Sequence, residues 1–478
     1  MEKTILTSTG WVRGRTQDDG SFGFLGIPFA QARRFMAPEP VTWEGVRDCF
    51  EYAPLVPHPN YRGVKRPEHV YAMLGSEEGC LALNVWTRHP EAGAKRPVVV
   101  MVHGGAFQVG SSRMDEKRRS NMAGGRDVVF ISVTYRVGVL GFLELGDMYG
   151  GAYRGSGNNG SRDLLMALEW IYRNAEAFGG DPDNVTVMAI SAGAKNMGCL
   201  LTLPRLQTLC HKVVLESGAM QAFRTVQTAL HIRDQYLERL PEGTDLLTAP
   251  AEKLVEVQAE FCSGPGNTCF FGPVLEAPFD PDWEEKWLAG QHFTGSAILG
   301  GGLHELCFTT HRPGYLEHAR EIAREMFGDQ APLACRMAEE QTAATGDALA
   351  AWTAVMSDFM YRFYTTALAK RMEADGCRVW SYSMDVPPAG HGQGFAFLEG
   401  NVEPPGQHFP EEQLRQCKAV GAYFSARIGE FIEDGQPDPA LWPEYQGGHK
   451  LVLDFAPHAQ YRPQDTLTGF PPRAIEYM

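Results

Sequence analysis

VTVMAISAGAKNMG, residues 185–198, decides the reading of this chain. A short apolar, β-branched run, Val185–Ala189, leads into Ser191. Ala192 and Gly193 then open a helical stretch that reaches about Leu201. A strand that turns sharply into a helix pushes the intervening hydroxyl out at the top of a sheet. The residues two before and two after that hydroxyl crowd each other, so they must be small. This is the G-x-S-x-G elbow pattern, with Ala189 at the first glycine position. The turn aims the helix N-terminus and the Ala192 N–H at any negative charge that develops beside Ser191.

Outward from the elbow, similar runs recur at Val98–Val102, Val128–Val133, Val213–Glu216, Ala297–Leu299, Val379–Tyr382 and Leu451–Leu453. Continuous apolar runs of this length suit strands covered on both faces. Between the second and third strands, Leu164, Leu165, Ala167, Leu168 and Ile171 fall at helical spacing, which predicts a helix over Asp163–Phe178. Strand–helix–strand alternation predicts an α/β fold with a mostly parallel sheet and helices on both faces. The intervals of about 225–290 and 310–375 carry mixed helical patterns and read as insertions over the carboxyl ends of the strands, where open α/β sheets bind ligands. A Pro- and charge-rich loop, 57–79, could reach the same edge. There is no repeat or long linker, so residues 1–478 read as one domain, with the insertions as a cap.

The 478 residues are 44% hydrophobic and 21% charged, enough for a large core. No apolar run is long enough for a membrane span. The net charge of −15 repels phosphate backbones and anionic lipids, so neither nucleic acid nor membrane is an expected partner, and a small neutral or cationic molecule is. The basic run Lys117-Arg118-Arg119 reads as a solvated helix face. Ten cysteines are scattered without a C-x-x-C pair, which reads as free thiols in a reducing compartment; a Cys262–Cys269 pair, close in sequence, is the less favoured alternative. Residues 1–12 lack an apolar h-region and a cleavage site and read as an edge strand, so the expected location is cytoplasmic. The default assembly is a monomer or weak homo-oligomer.

A second glycine-bearing segment, His103-Gly104-Gly105-Ala106-Phe107, directly follows the run Val98–Val102. Consecutive glycines let backbone N–H groups approach a substrate oxygen, the arrangement of an oxyanion loop; the plain alternative is a glycine turn. Two such motifs in this order are far rarer by chance than either alone. Together with GFLGIPFAQARRFMAPEPVTWEGV (23–46), SEEGCLALNVW (76–86), PVVVMVHGGAFQVGS (97–111), VTYRVGVLGFL (133–143), NNGSRDLLMALEWIYRNAEAFGGDPDNVTV (158–187), LESGA (215–219) and WPEY (442–445), they give a resemblance that runs nearly end to end. The chain resembles the type-B carboxylesterase family, which includes bacterial para-nitrobenzyl-esterase-like enzymes, cholinesterases and the adhesion protein neuroligin.

That resemblance implies an α/β-hydrolase fold and a Ser–Glu–His triad. The acid matches Glu305 in GGGLHE and the histidine matches His391 in GHGQGFAFLEGN. It implies catalysis by Ser191 as nucleophile, His391 as general base and acid, and Glu305 as orienting acid, with Gly104, Gly105 and Ala192 as oxyanion donors and no cofactor or metal. His103 is the main competitor among the fourteen histidines, but the resemblance places it in the oxyanion loop. Phe107 and the pair Phe270–Phe271 are candidate pocket walls, although such aromatics are more often core.

Several positions depart from the family pattern. Ile190 replaces a buried acid, Gly394 stands where an acid often follows the histidine, and Lys195 is unusual one turn after the serine. Lys195 reads as solvent-facing; the alternatives are an electrostatic effect on the site or a serine–lysine mechanism. Cys80 has no cysteine partner in the matching early loop, and loop 57–79 lacks the tryptophan that choline recognition would use. His304-Glu305-Leu306-Cys307-Phe308 lacks the second histidine of a zinc motif. The expected reaction is ester hydrolysis through an acyl-enzyme. A related acyl bond (amide, carbamate, lactone, thioester) or a catalytically silent interaction protein are the other readings.

Overall fold

Strands form where the sequence places its short apolar runs, and the interior absorbs those runs on both faces. The computed structural model describes residues 1–59, 75–114, 116–262, 271–290, 293–403 and 408–462. They fall into two units: Met1–Arg113, Val128–Val185 and Ala222–Trp283 in the first, and Met114–Asp127, Thr186–Gln221 and Glu284–Met478 in the second.

The first unit holds β1 (Glu2–Thr7), β2 (Gly10–Thr16), β3 (Phe22–Pro28), β4 (Ala30–Gln31), β5 (Glu39–Pro40), β6 (Val46–Asp48), β7 (Ala82–Thr87), β8 (Arg96–Val102) and β9 (Val129–Val133). Its main strand order is β1-β2-β3-β7-β9-β8. The pairs from β1 to β9 along that path are antiparallel, and β8 joins β9 in parallel with Val98 opposite Val129. The expected edge strand at residues 1–12 is a hairpin of β1 and β2. In β1, Ile5 and Thr7 are buried while their neighbours face out, the alternation of a half-covered strand.

The predicted helix is present but starts four residues earlier, over Asn159–Asn174, with Leu164, Ala167, Leu168 and Ile171 buried. Its predicted last turn, Ala175–Phe178, tightens into a 3₁₀ turn closed by Gly179 at φ +82°. A Cβ there would sit 1.8 Å from the His89 carbonyl oxygen, so only glycine fits. Asp163 on this helix takes two hydrogen bonds of 2.7 Å from the Arg136 guanidinium and one of 3.0 Å from its backbone N–H. This fully buried, bidentate pair fixes the segment after β9 to the helix.

The second unit takes up β10 (Gly180–Ile190) from Thr186 onward, then β11 (Lys212–Glu216), β12 (Ser296–Gly302), β13 (Val379–Met384), β14 (His449–Leu453) and β15 (His458–Tyr461), adjacent in that order. β10 to β14 are parallel and only β15 turns back. The long helix Glu411–Asp434 buries Cys417, Val420, Phe424, Ile428 and Phe431, a stripe at helical spacing. Phe431 meets Trp380 and Phe424 meets Tyr382, with ring centroids 5.6 and 4.7 Å apart, so the stripe packs on β13.

The interval 310–375 is helical, as expected: Tyr315–Phe327, Ala331–Thr345, Ala348–Ser357 and Phe363–Ala374. It has its own core around Tyr315, Ile322, Phe327, Trp352 and Phe359. Between its last two helices, Asp358–Arg362 forms a π-helical turn. The interval 225–290 holds Val226–Leu237, Ala251–Phe261 and Trp283–Leu288.

One surface expectation is corrected. Lys117-Arg118-Arg119 lies on the helix Glu116–Met122, yet Arg119 is buried and donates to the Met114 carbonyl oxygen at 3.1 Å. Helical periodicity carries Arg119 to the same inner side as Met122, three residues on. Arg118 pairs with Glu399 instead of facing water alone. No helix among the described residues is long and apolar enough to cross a membrane.

Candidate active site

Ser191 sits where β10 ends and the helix Ala192–Leu200 begins. Its φ is +56° and ψ −124°, a conformation that L-residues avoid. The strained turn is held from both sides. The Ser191 N–H donates to the Glu216 carbonyl oxygen at 2.9 Å, and the Ser191 carbonyl oxygen accepts from the Lys195 N–H at 2.8 Å. The space is as tight as the small flanking residues predict. A Cβ on Gly218 would lie 2.7 Å from the Ala194 Cβ and 2.8 Å from the Ser191 carbonyl oxygen.

His391 and Glu305 come to this serine from the next strands of the same unit. Glu305 follows β12 and His391 follows β13, so all three residues lie just past the carboxyl ends of parallel strands. His391 Nε2 is 2.8 Å from Ser191 Oγ, and His391 Nδ1 is 2.7 Å from Glu305 Oε2. Glu305 is 1% exposed and His391 20%. The Glu305 carboxyl is thus sealed in and the His391 imidazole retains access. The loop carrying His391 is braced by Gln393, whose Oε1 accepts from the Gly390 N–H at 3.0 Å and whose Nε2 donates to the Val386 carbonyl oxygen at 2.8 Å. Both histidine contacts lie within the reach that proton transfer to and from a hydroxyl requires. His304 next door is exposed while Glu305 is buried, so their side chains diverge.

A carboxylesterase family model matches residues 1–468. The chain belongs to the carboxylesterase family. It is 29% identical to the para-nitrobenzyl esterase of Bacillus subtilis (strain 168), over 94% of each chain. It is 36% identical to the acylcarnitine hydrolase of Rattus norvegicus, over 67% of this chain and 59% of that one. A carboxylesterase of Geobacillus stearothermophilus superposes with a TM-score of 0.81 at 29% identity, covering 96% of this chain and 98% of that one. A para-nitrobenzyl esterase structure gives 0.79 at 27% identity over 97% and 98%. The α/β-hydrolase fold and the carboxylesterase assignment expected from the sequence hold.

Within this carboxylesterase the surroundings of the three residues were only partly legible. Ser217 closes β11 at φ +55°, and its hydroxyl donates to Glu305 Oε1 at 2.6 Å; the Gly302 N–H adds a second donor at 2.8 Å. Sequence reading missed Ser217, although the segment LESGA held the signal. The 310–375 interval grips the chain on both sides of Glu305: Arg362 donates to the Leu303 carbonyl oxygen at 2.7 Å, and the Leu306 N–H donates to Ser357 Oγ at 3.1 Å. Tyr361, on the π-helical turn, packs its ring 4.8 Å from the His391 ring. No local pattern announces such a turn.

Lys195 corrects a second expectation. It is 8% exposed, not solvent-facing. Its ammonium lies 4.7 Å from the Tyr361 ring centroid and 3.3 Å from Met360 Sδ. The helix Ala192–Leu200 is buried along its whole length, so no turn of it offers a wet face. A polarisable thioether and an aromatic face receive the cation there.

The remaining predicted residues belong to the first unit. Gly105 adopts φ +115°, and a Cβ on it would lie 2.0 Å from the Val109 carbonyl oxygen, so this loop requires glycine. His103 is buried, stacks 4.4 Å from Tyr135 at 6°, and is held down to about 4 by burial. Its Nδ1 bonds the Gly104 carbonyl oxygen at 2.9 Å. Phe107 and Phe271 are both buried, against Phe142 and Phe261 respectively. Phe270 and Cys269 lie outside the described residues, as does 60–74 of the early loop. Cys80 is a buried thiol whose Sγ donates to the Glu77 carbonyl oxygen at 3.4 Å, and burial pushes it up to about 12.

Proposed function

We propose that this carboxylesterase cleaves small, uncharged carboxylic esters through an acyl-enzyme on Ser191. The observation that carries the reading is the hydrogen-bonded chain Ser191 Oγ–His391 Nε2 and His391 Nδ1–Glu305 Oε2. His391 takes the hydroxyl proton as Ser191 Oγ attacks the ester carbonyl, then returns it to the departing alkoxide oxygen. Water repeats the cycle on the acyl-enzyme, releasing the acid and restoring Ser191. Glu305 fixes the useful tautomer and balances the transient imidazolium. The Ala192 N–H, at the start of its helix, is proposed as one oxyanion donor. Gly104 and Gly105 are proposed as the others on the strength of their sequence motif.

Phe107, Phe270 and Phe271 remain proposed pocket residues, and the 225–290 and 310–375 insertions a proposed cap. A small-molecule ester is the proposed partner of a monomer or weak homo-oligomer in the cytoplasm, with no nucleic acid or membrane partner. The net charge of −15 supports that choice.

The test is hydrolysis of p-nitrophenyl acetate and butyrate by the wild type and by Ser191→Ala, with folding checked by circular dichroism. Turnover by the wild type and a loss on the order of 10⁴-fold or more in the folded variant is the expected result. An inert folded wild type, or a variant that keeps its activity, would remove Ser191 from the reaction.

A further inference from the structure

Glu216 ends β11, the strand between the one that carries Ser191 and the one that leads to Glu305. In register it faces Ile190 on one side and Gly300 on the other. Its carbonyl oxygen already takes the Ser191 N–H. Its side chain is wholly buried and does something separate. Glu216 Oε1 accepts the Gly394 N–H at 2.7 Å, three residues past His391. A Cβ on Gly394 would lie 2.9 and 3.0 Å from the two carboxyl oxygens, so the carboxyl occupies the space that a side chain at 394 would need. Glu216 thus meets both positions where the resemblance leads one to expect an acid and this chain has none, Ile190 through the strand register and Gly394 through its carboxyl.

We propose that Glu216 is a positioning residue for ester hydrolysis, whose buried carboxyl ties the His391 loop to the end of β11 and so sets the His391–Ser191 distance. The inference rests on the proposed roles of Ser191 and His391. A wholly buried carboxyl is costly unless its oxygens are paired, and the Gly394 N–H supplies one such pairing from the His391 loop. The Tyr382 hydroxyl on β13 and the Phe395 N–H also reach the carboxyl. The groups facing the carboxyl are Glu305 beyond β12, Tyr382 from β13, and the N–H groups of Gly394 and Phe395 from the short helix Gln393–Leu398; β10 contributes the apolar Ile190. Burial, with Glu305 adding to it, pushes Glu216 up to about 8. The carboxyl is therefore neutral at pH 7 and gains charge in mild alkali. A negative charge there favours the imidazolium that forms at His391 during the reaction. A second rise in kcat/KM near pH 8, beyond the one expected from the base itself, follows from it.

Three measurements on the full-length protein test this. Glu216→Leu removes the tie and is expected to lower kcat roughly ten- to a hundred-fold with KM within about twofold, because a small misplacement of the base is felt in the chemical step. Glu216→Gln keeps shape and acceptor and guards against a variant that fails to fold. It is expected to hold kcat at pH 7 within about threefold but to lose the rise near pH 8. The third readout needs no turnover: the low-field proton resonance of the His391–Glu305 hydrogen bond, assigned by its loss in His391→Ala. Its position should move in Glu216→Leu. An unchanged resonance in that variant, or a Glu216→Gln profile that superposes on the wild type, overturns the proposal. An enzyme inert toward esters whose resonance still moves would instead break the proposed function and leave the positioning role standing.

Discussion

Two histidines in this protein follow parallel strands, and they have opposite surroundings. His391 has a carboxylate on Nδ1, a hydroxyl on Nε2 and a fifth of its side chain open. His103 has a carbonyl oxygen on Nδ1, no hydrogen-bond partner on Nε2 among the described residues, and Tyr135 stacked against its face. The residue type is constant; the partner and the access differ. An imidazole becomes a base when an acid can balance its charged form, and becomes packing when burial penalises that form. On the proposed mechanism the contrast is largest for direct loss of the His391 imidazole. His391→Ala is expected to lower kcat/KM on the order of 10⁴-fold. His103→Gln is expected to stay within about tenfold, losing only loop shape. Comparable losses in the two variants, measured with p-nitrophenyl butyrate, would erase the distinction.

The next effect is on the acid. Glu305→Gln keeps the side-chain length but presents an amide that can force the wrong imidazole tautomer. A loss of roughly 10³- to 10⁴-fold in kcat is expected, with KM little changed. Glu305 also accepts from Ser217 and from the Gly302 N–H. Ser217→Ala removes one of those donors while the other stays. It should cost roughly tenfold, and a loss as large as that of Glu305→Gln would mean that Ser217 holds the acid by itself.

These residues mark where sequence reading succeeds and where it stops. Ser191 is legible because its constraints are local: small flanking residues, a strand before and a helix after. The strands are legible because runs such as Val98–Val102 are buried on both faces, so nothing polar interrupts them. Glu305 and His391 were reached through the family resemblance, since a lone acid or histidine in a loop carries no local signature. Ser217, Glu216 and Tyr361 act on partners 88, 178 and 30 residues away, and spacing along the chain says nothing of such distances. Lys195 misled for the opposite reason. A lysine one turn into a helix reads as wet, and only the burial of the whole helix Ala192–Leu200 overrides that reading.

The burial of His103 also has a thermodynamic face. His103 is held down to about 4 in the fold, against an unfolded value near 6.5. Between those values the unfolded chain binds the extra proton, so acid favours unfolding. The contribution is neutral above pH 6.5 and grows to about 3 kcal/mol of lost stability as the pH falls toward 4. His103→Gln should flatten that slope, whatever it does to stability at pH 8. Urea midpoints between pH 8 and 4.5 for the wild type and the variant would show it, and parallel curves would place the acid sensitivity elsewhere.

The smallest expected effect concerns the buried cation. Lys195→Met keeps an unbranched apolar stem and removes the charge that rests on Tyr361 and Met360. Two opposing terms nearly cancel. The cation–ring attraction, worth about 2 kcal/mol when desolvated, is lost. The cost of burying an ammonium, of similar or larger size, is lost as well. Stability should therefore stay within about 1 kcal/mol of the wild type or rise slightly. The charge still matters to the base through its neighbour, because the Tyr361 ring lies 4.8 Å from the His391 ring. A cation nearby disfavours a second one, so removing it should move the acidic limb of the pH–rate profile toward higher pH, by less than about one unit. An unmoved profile would mean that the ammonium is balanced locally and that Tyr361 positions the imidazole by packing alone. A loss of several orders of magnitude would mean that Lys195 takes part in the proton transfer itself, and His391 would no longer be the only base in the site.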